Sequence, residues 1–433
     1  MPVLCVGLIR RNVTPMHRLV AARWRGLALS LASILAAVAL LGGCVSRNES
    51  GARPASFDPT RLNELLPPLL KEQKAAGVGI AVIRDGQLIW TGYYGEQAPG
   101  IPVSEKTAFN TASVAKTLTA ETLLALAAKG KIDLDEPIAD YVSSPDLQAD
   151  SRYGLLTPRL LMSHRSGLRN WAYDYANGKL AFDFDPGTRF SYSGAGVELA
   201  ARYAEARTGK DLQTLAFEHV LSPLGIQEVS MGHIPAWARN RLAVPMDSAG
   251  VFRSVAELDA SLADDHANGA ADDLIVTVPA YATLLSALIA HDWLHARERL
   301  ARETILTSLE NDPIYACPQE IAVHCPSAFG HSIGWQVYRY DAHTVLIHSG
   351  SDAGENALVY YSPDRKDGAV IFVNGANGWV VMTRVVELVG DEPFIASYYR
   401  GLVEKVMHQS MPPLTAVTTR ASDRARAATA PAR

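Results

Sequence analysis

An α+β fold, in which one antiparallel β-sheet is flanked by helices and carries a mostly helical inserted lobe, is predicted by three observations. Two β-rich runs, Val78 to Ile83 and Gln87 to Trp90, flank Asp85-Gly86, a dipeptide suited to the positive φ angles of a tight hairpin turn. A second hairpin pattern lies near the other end, with Ala357 to Tyr361, turn residues around Pro363 to Gly368, and Ala369 to Val373. Between the hairpins the apolar spacing is helical over Ser113 to Lys129, Ala195 to Thr208 and Pro279 to Ala290, with long loops between. Strands at both ends and helices between them suit one sheet closed by the N- and C-terminal segments, with the helices inserted. A helix near Leu62 to Ala76 opens this unit, and one from about Thr383 to Met407 closes it. No internal repeat is visible.

The chain has 433 residues, 48% apolar and 20% charged, which is globular composition with enough length for a large core. Its net charge of −5 and scattered arginines lack the basic stripe of a nucleic-acid binder, so no nucleic-acid partner is expected. The sequence carries no signal for an oligomeric state.

Arg18, Arg23 and Arg25 precede an uncharged run, Leu27 to Leu41, that ends in Leu41-Gly42-Gly43-Cys44. Basic residues, an apolar stretch and small residues in that order form a secretory leader. The ending is similar to the bacterial lipoprotein box, which implies cleavage after residue 43 and a lipid anchor on Cys44. By the sorting rule of such proteins, Val45 implies the outer membrane, facing the periplasm. An uncleaved membrane helix is the alternative, since the run is nearly long enough to span. The start falls at Met1 or Met16. Residues 44–58 read as a flexible tether, 59–410 as the globular domain, and 411–433, rich in Pro, Ala, Thr and Arg, as a disordered tail.

Cys317 and Cys325 lie in a stretch broken by Pro313, Pro318 and Pro326. In an exported protein they are expected to form a disulfide; a metal site with His324 is the alternative, but the spacing is not that of a zinc motif. No His-Glu-x-x-His motif or clustered acidic loop occurs, so a metal-free mechanism without cofactor is expected.

Three short segments carry chemistry. Ser113-Val114-Ala115-Lys116 opens a helix that continues through Leu118, Leu123, Leu124 and Leu126, and it is the one Ser-x-x-Lys in the chain. Spacing of three puts both side chains on one face. A serine hydroxyl is a weak nucleophile until a neighbouring base takes its proton, and a desolvated lysine amine can do so. Phe190-Ser191-Tyr192-Ser193-Gly194 follows Pro186-Gly187 and precedes a helix; a tyrosine near a lysine can relay protons. His348-Ser349-Gly350, followed by Ser351, ends the β run Thr344 to Ile347. There a glycine would admit a substrate's backbone, and an imidazole and a hydroxyl could bind its carboxyl or carbonyl group.

In this order the segments resemble the Ser-x-x-Lys, Tyr-x-Asn and Lys/His-Thr-Gly boxes of the β-lactamase and penicillin-binding-protein superfamily. Flanking text agrees, in Leu160-Leu161-Met162-Ser163-His164-Arg165-Ser166-Gly167-Leu168, Leu221-Ser222-Pro223-Leu224-Gly225 and Gly334-Trp335. The likeness runs from about residue 60 to 405. It suits the class C branch, which includes D-aminopeptidases, a D-alanyl carboxypeptidase and family VIII esterases. The resemblance implies the β-lactamase/transpeptidase-like fold and a serine hydrolase that forms an acyl-enzyme. Ser113 is the expected nucleophile, Lys116 and Tyr192 jointly the expected acid and base, and the backbone N–H groups of Ser113 and Ser351 the expected oxyanion donors. His348, Ser349, Gly350 and Ser351 are expected to bind a small-molecule or peptide substrate.

Tyr175-Ala176-Asn177 is a literal Tyr-Ala-Asn, yet Tyr192 alone has the preceding Pro-Gly-x-x-Phe and the following helix. Choosing Tyr192 leaves Gly194 where the family has asparagine, and His348 stands where β-lactamases have lysine. Both departures favour esters or D-amino-acid peptides and amides over β-lactams. A true class C β-lactamase and a non-hydrolytic peptidoglycan-binding lipoprotein are the alternatives. His164 and Ser166 are expected to be structural, and Trp335 to line the cleft.

Overall fold

Asp85 and Gly86 both adopt positive φ, 52° and 76°, the geometry whose twist matches two antiparallel strands. In the computed structural model, which describes residues 57–254, 257, 269–290, 294–312, 315–317, 325–407 and 411, this turn joins the first two strands of the sheet. Residues 1–56, Cys44 among them, and the tail beyond Met411 lie outside the described residues.

In chain order the elements are α1 (Thr60–Gln73), β1 (Gly77–Arg84), β2 (Gln87–Ala98), β3 (Ile101–Pro102), β4 (Ala108–Asn110), α2 (Ala115–Ala128), α3 (Pro158–Met162), α4 (Gly194–Thr208) and α5 (Leu212–Ala216). They continue with β5 (Val229–Met231), β6 (Leu274–Thr277), α6 (Val278–Ala290), α7 (Ala296–Glu303), β7 (Thr307–Ser308), β8 (Ala328–His331), β9 (Gln336–Arg339), β10 (Thr344–Asp352), β11 (Glu355–Ser362), β12 (Asp367–Asn374), α8 (Gly378–Val389) and α9 (Pro393–Met407). Among the described residues the main sheet has nine strands in the order β3-β2-β1-β12-β11-β10-β9-β8-β7. Its first and last long strands pair antiparallel, Gly77 opposite Asn374 and Ile83 opposite Gly368, so the chain ends close the sheet as expected.

Side chains alternate across a strand, and each face of β1 has its own core. Val78, Ile80 and Val82 pack with Leu62 and Leu66 of α1 and with Val381, Val385 and Tyr398 from the C-terminal helices. Ala81 and Ile83 face the helical lobe, joining Phe109, Leu118, Leu123, Tyr281 and Phe372. Covered on both faces, β1 has no exposed residue, which is why its sequence reads as an apolar run rather than an alternation.

Two expectations change. The C-terminal helix is two helices, because Gly390 takes φ 73° as a left-handed cap and Pro393 starts the next one. Met411, read as the first tail residue, is 3% exposed and packs on Val380 and Val403. A three-stranded sheet, β4-β6-β5, was not expected from the sequence. Cys317 and Cys325 are joined by a disulfide.

Candidate active site

Ser113 sits in a 3-10 turn, Ala112–Val114, that feeds directly into α2. Ala112 is held at φ 46°, a left-handed conformation that costs an alanine on the order of 1 kcal/mol. Strand β10 presses against this turn: a Cβ on Gly350 would lie 2.1 Å from the Thr111 carbonyl oxygen and 3.0 Å from the Ser113 nitrogen. The missing side chain at Gly350 thus admits the protein's own backbone at Thr111 to Ser113.

Lys116 follows one turn later and is 1% exposed. Its Nζ donates to Ser113 Oγ at 2.9 Å and to the Ala271 carbonyl at 2.6 Å. The two-residue segment that carries this carbonyl, Ala270-Ala271, is held from two helices. Glu198 of α4 accepts the Ala270 and Ala271 N–H groups at 3.0 and 2.9 Å, and Thr119 of α2 donates to the Ala270 carbonyl at 2.7 Å. Burial lifts the Glu198 carboxyl to about 7, opposed by these N–H groups and by nearby Arg202 and Lys116.

The Tyr192 ring lies 4.9 Å from Lys116 Nζ, face toward the amine. Its backbone is fixed by His164, whose carbonyl accepts from Ser191 N at 2.9 Å and whose Nδ1 accepts from Ser193 N at 3.1 Å. The His164 ring packs on Tyr192 with centroids 4.3 Å apart, so this histidine positions the tyrosine. Tyr175, the other candidate, has a committed hydroxyl: it accepts from Arg169 N at 2.8 Å and donates to the Ala181 carbonyl.

His348 and Gly350 share one face of β10, the face toward Ser113 and Lys116, and both are buried. Alternation sends the half-buried Ser349 and the exposed Ser351 side chains to the other face, so the four residues expected around substrate are split. Pairing of β10 with β9 stops at Ile347 opposite Gln336, while pairing with β11 runs on to Asp352, so residues 348–351 have a strand partner on the β11 side and none on the β9 side among the described residues. His348 donates from Nδ1 to the Ser349 carbonyl at 2.8 Å. Burial, with Lys116 adding repulsion, pushes its imidazole down to about 3, so it is neutral at physiological pH.

Several residues of the site have no motif. His331 of β8 is fully buried, stacks on Phe190 at 5.2 Å and meets His164 edge-on at 4.8 Å. Burial keeps it and His164 well below the usual histidine range. Trp171, Glu198 and the Ala270-Ala271 backbone were likewise silent in the sequence. Trp335, expected in the cleft, is fully buried instead, donating Nε1 to Glu121 at 3.0 Å beside the buried Glu121–Arg302 pair.

The Beta-lactamase family profile matches residues 62–388. Esterase EstB of Burkholderia gladioli is 29% identical over 232 residues, which cover 44% of this chain and 58% of the esterase. The human mitochondrial serine beta-lactamase-like protein LACTB is 33% identical over 114 residues, 26% of this chain and 21% of that protein. The chain thus matches less than two thirds of the length of these curated relatives. Among solved structures, the octameric penicillin-binding protein homologue from Pyrococcus abyssi superposes with a TM-score of 0.63 at 19% identity, covering 81% of this chain and 82% of that one. The D-alanine carboxypeptidase AmpC from Burkholderia cenocepacia gives 0.59 at 18% identity, covering 78% and 98%. With the profile spanning most of the globular unit, this chain belongs to the Beta-lactamase family, and it shares its fold with these solved structures.

Proposed function

We propose that the protein hydrolyses small carboxylic esters, and less readily D-amino-acid peptides or amides, through an acyl-enzyme on Ser113. The observation that carries this reading is the 2.9 Å contact between the buried Lys116 Nζ and Ser113 Oγ, within reach of proton transfer. Ser113 Oγ attacks the ester carbonyl carbon as its proton passes to the Lys116 amine, with Tyr192 assisting. The carbonyl electrons move onto oxygen, where the backbone N–H groups of Ser113 and Ser351 receive the charge; the end of β9 pairing at Ile347, before Ser351, supports this role. Collapse expels the alcohol, which takes up the proton and leaves the acyl group on Ser113. Water then repeats the sequence and frees the acid.

Esters are favoured over charged substrates because a neutral, buried imidazole at His348 supplies no positive charge for a carboxylate. The esterase among the relatives supports the same reading. We also propose that the domain is tethered to the cell envelope, in the outer membrane facing the periplasm, by a lipid on Cys44. The Leu-Gly-Gly-Cys ending of the apolar run supports this.

A fluorescent fluorophosphonate probe tests the chemistry. Labelling of the wild type that is lost in Ser113→Ala, together with turnover of p-nitrophenyl butyrate, is expected. No labelling by that probe or by a fluorescent penicillin would instead favour a non-hydrolytic binder of peptidoglycan peptides.

A further inference from the structure

Gly194 begins helix α4, and the space its side chain would fill is occupied. A Cβ there would lie 2.5 Å from both Cζ2 and Cη2 of Trp171, and 2.9 Å from Cε2. The direction of that Cβ follows from the backbone. Ser193 is extended, at φ −144° and ψ 108°, so the side chains of residues 192 and 194 leave the chain toward the same side while that of Ser193 leaves toward the other. The Tyr192 ring meets Lys116 Nζ, and Ser193 Oγ turns away to the Arg169 carbonyl. The indole on Gly194 therefore stands on the Ser113–Lys116 side of this segment.

The indole is also held there. Asn170 accepts the Gly194 N–H through Oδ1 at 2.8 Å and the Ala195 N–H through its carbonyl at 2.9 Å, which ties the neighbour of Trp171 to the first turn of α4. Asp174 Oδ2 accepts the Trp171 N–H at 2.9 Å. Trp171 is half-buried, with part of the ring packed on the core and part left facing out.

We propose that Trp171 is a specificity-determining residue of this site, and that with Gly194 it selects substrates with short, unbranched apolar acyl groups. The inference rests on the hydrolase reading above. A side chain able to pair with a substrate amide would need the volume that the benzo edge occupies, and the edge presents carbon where such an amide needs a partner. An acylamino substrate thus meets an apolar wall and leaves its amide unpaired. A small acyl chain loses nothing there.

The test measures kcat/KM for p-nitrophenyl acetate, butyrate and octanoate and for the cephalosporin nitrocefin, with fluorophosphonate labelling to count active sites. Trp171→Ala and the milder Trp171→Phe should raise octanoate relative to acetate by about tenfold or more, on the scale of discrimination by a few methylenes. Gly194→Asn alone should lower the melting temperature, and Trp171→Ala in the same chain should restore it, because one removes what the other strikes. An unchanged chain-length profile in Trp171→Ala and Trp171→Phe, with labelling intact, would overturn the inference alone. Absence of labelling in the wild type would overturn the hydrolase reading and this inference with it.

Discussion

Glu198 ties helix α4 to the segment whose Ala271 carbonyl holds Lys116, and replacing it separates positioning from chemistry. Its carboxyl accepts two N–H groups, from Ala270 and Ala271, and the Ala271 carbonyl in turn accepts from Lys116 Nζ at 2.6 Å. Glu198→Ala leaves two N–H groups without an acceptor, at about 1 to 3 kcal/mol each if they stay dry. Such a loss is a large part of the roughly 5 to 15 kcal/mol that holds a domain together. Glu198→Gln keeps an acceptor oxygen and removes the ionisation.

The sign of the pH effect follows from the raised carboxyl. Its folded value of about 7 exceeds the unfolded 4.5, so the folded state holds a proton the unfolded chain releases. That contribution is fully present below about 4.5, falls as pH rises through the interval, and is gone above about 7; at about 1.4 kcal/mol per unit it amounts to about 3 kcal/mol. Glu198→Gln should therefore gain on the wild type in melting temperature between pH 5 and pH 8. A loop displaced by about 1 Å can cost on the order of a hundredfold in rate, so Glu198→Ala should lower kcat on p-nitrophenyl butyrate by about that much. In Glu198→Gln any part of the kcat/KM pH profile that follows the Glu198 carboxyl, raised to about 7, should disappear. Folded Glu198→Ala and Glu198→Gln with wild-type kcat and an unmoved profile would refute the positioning role.

Tyr192→Phe should leave melting almost unchanged and lower ester turnover by at least about a hundredfold, the scale of lost acid–base catalysis. Tyr175→Phe should do the reverse, since its hydroxyl bridges Arg169 and Ala181: about 1 to 2 kcal/mol lost in denaturant unfolding, with kcat kept. Gly350→Ala should abolish probe labelling or unfold the protein, because its methyl meets the Thr111 carbonyl at 2.1 Å and neither backbone can yield without moving Ser113. Cys44→Ala should release the protein from washed membranes; retention would show that the apolar run is an uncleaved helix. Alkylation of native protein should find Cys317 and Cys325 unreactive, and reducing their bridge should lower stability by roughly 2 to 3 kcal/mol, as for a short closed loop.

The parts of this molecule legible in the sequence are those where one residue type does one local job. Asp85-Gly86 announces its hairpin because few dipeptides accept two positive φ angles, and Ser113-x-x-Lys116 announces one helical face because the spacing is set by the helix itself. The residues that could not be read are those whose role depends on a distant partner. Glu198 is one polar residue on an ordinary helix until Ala270 and Ala271 arrive from 72 and 73 residues away. His331 gives no signal on a short strand, and nothing in Gly194 says that the wall behind it is Trp171. Trp335 misled for the same reason: its apolar bulk was legible, but its partner Glu121, 214 residues distant, decides that it belongs to the core.

The two departures from the family motifs now have physical content, and they bear on the choice between enzyme and binder. At position 194 an amide is replaced by an indole edge, and at position 348 a cation is replaced by a neutral, buried imidazole. Each removes a polar anchor for substrate and leaves the Ser113–Lys116 contact intact at 2.9 Å. A protein kept for holding peptidoglycan peptides would be expected to show the opposite pattern, with recognition groups retained and a buried lysine beside a serine lost first, because an unpaired buried ammonium is expensive to keep. Here Glu198 and Thr119 instead hold the Ala270-Ala271 segment whose Ala271 carbonyl accepts from that amine. Retained chemistry with pared-down recognition supports a hydrolase of small, uncharged esters. It also predicts how the Ser113→Ala variant differs from Lys116→Ala. Both should lose turnover to a similar extent, since groups that act as a unit fail as a unit. Only Lys116→Ala should also raise stability or leave it unchanged, by removing a buried polar group whose partners are a hydroxyl and a carbonyl. A Lys116→Ala protein that melts well below Ser113→Ala would show that the lysine is kept for the fold, and the argument for catalysis from its burial would fail.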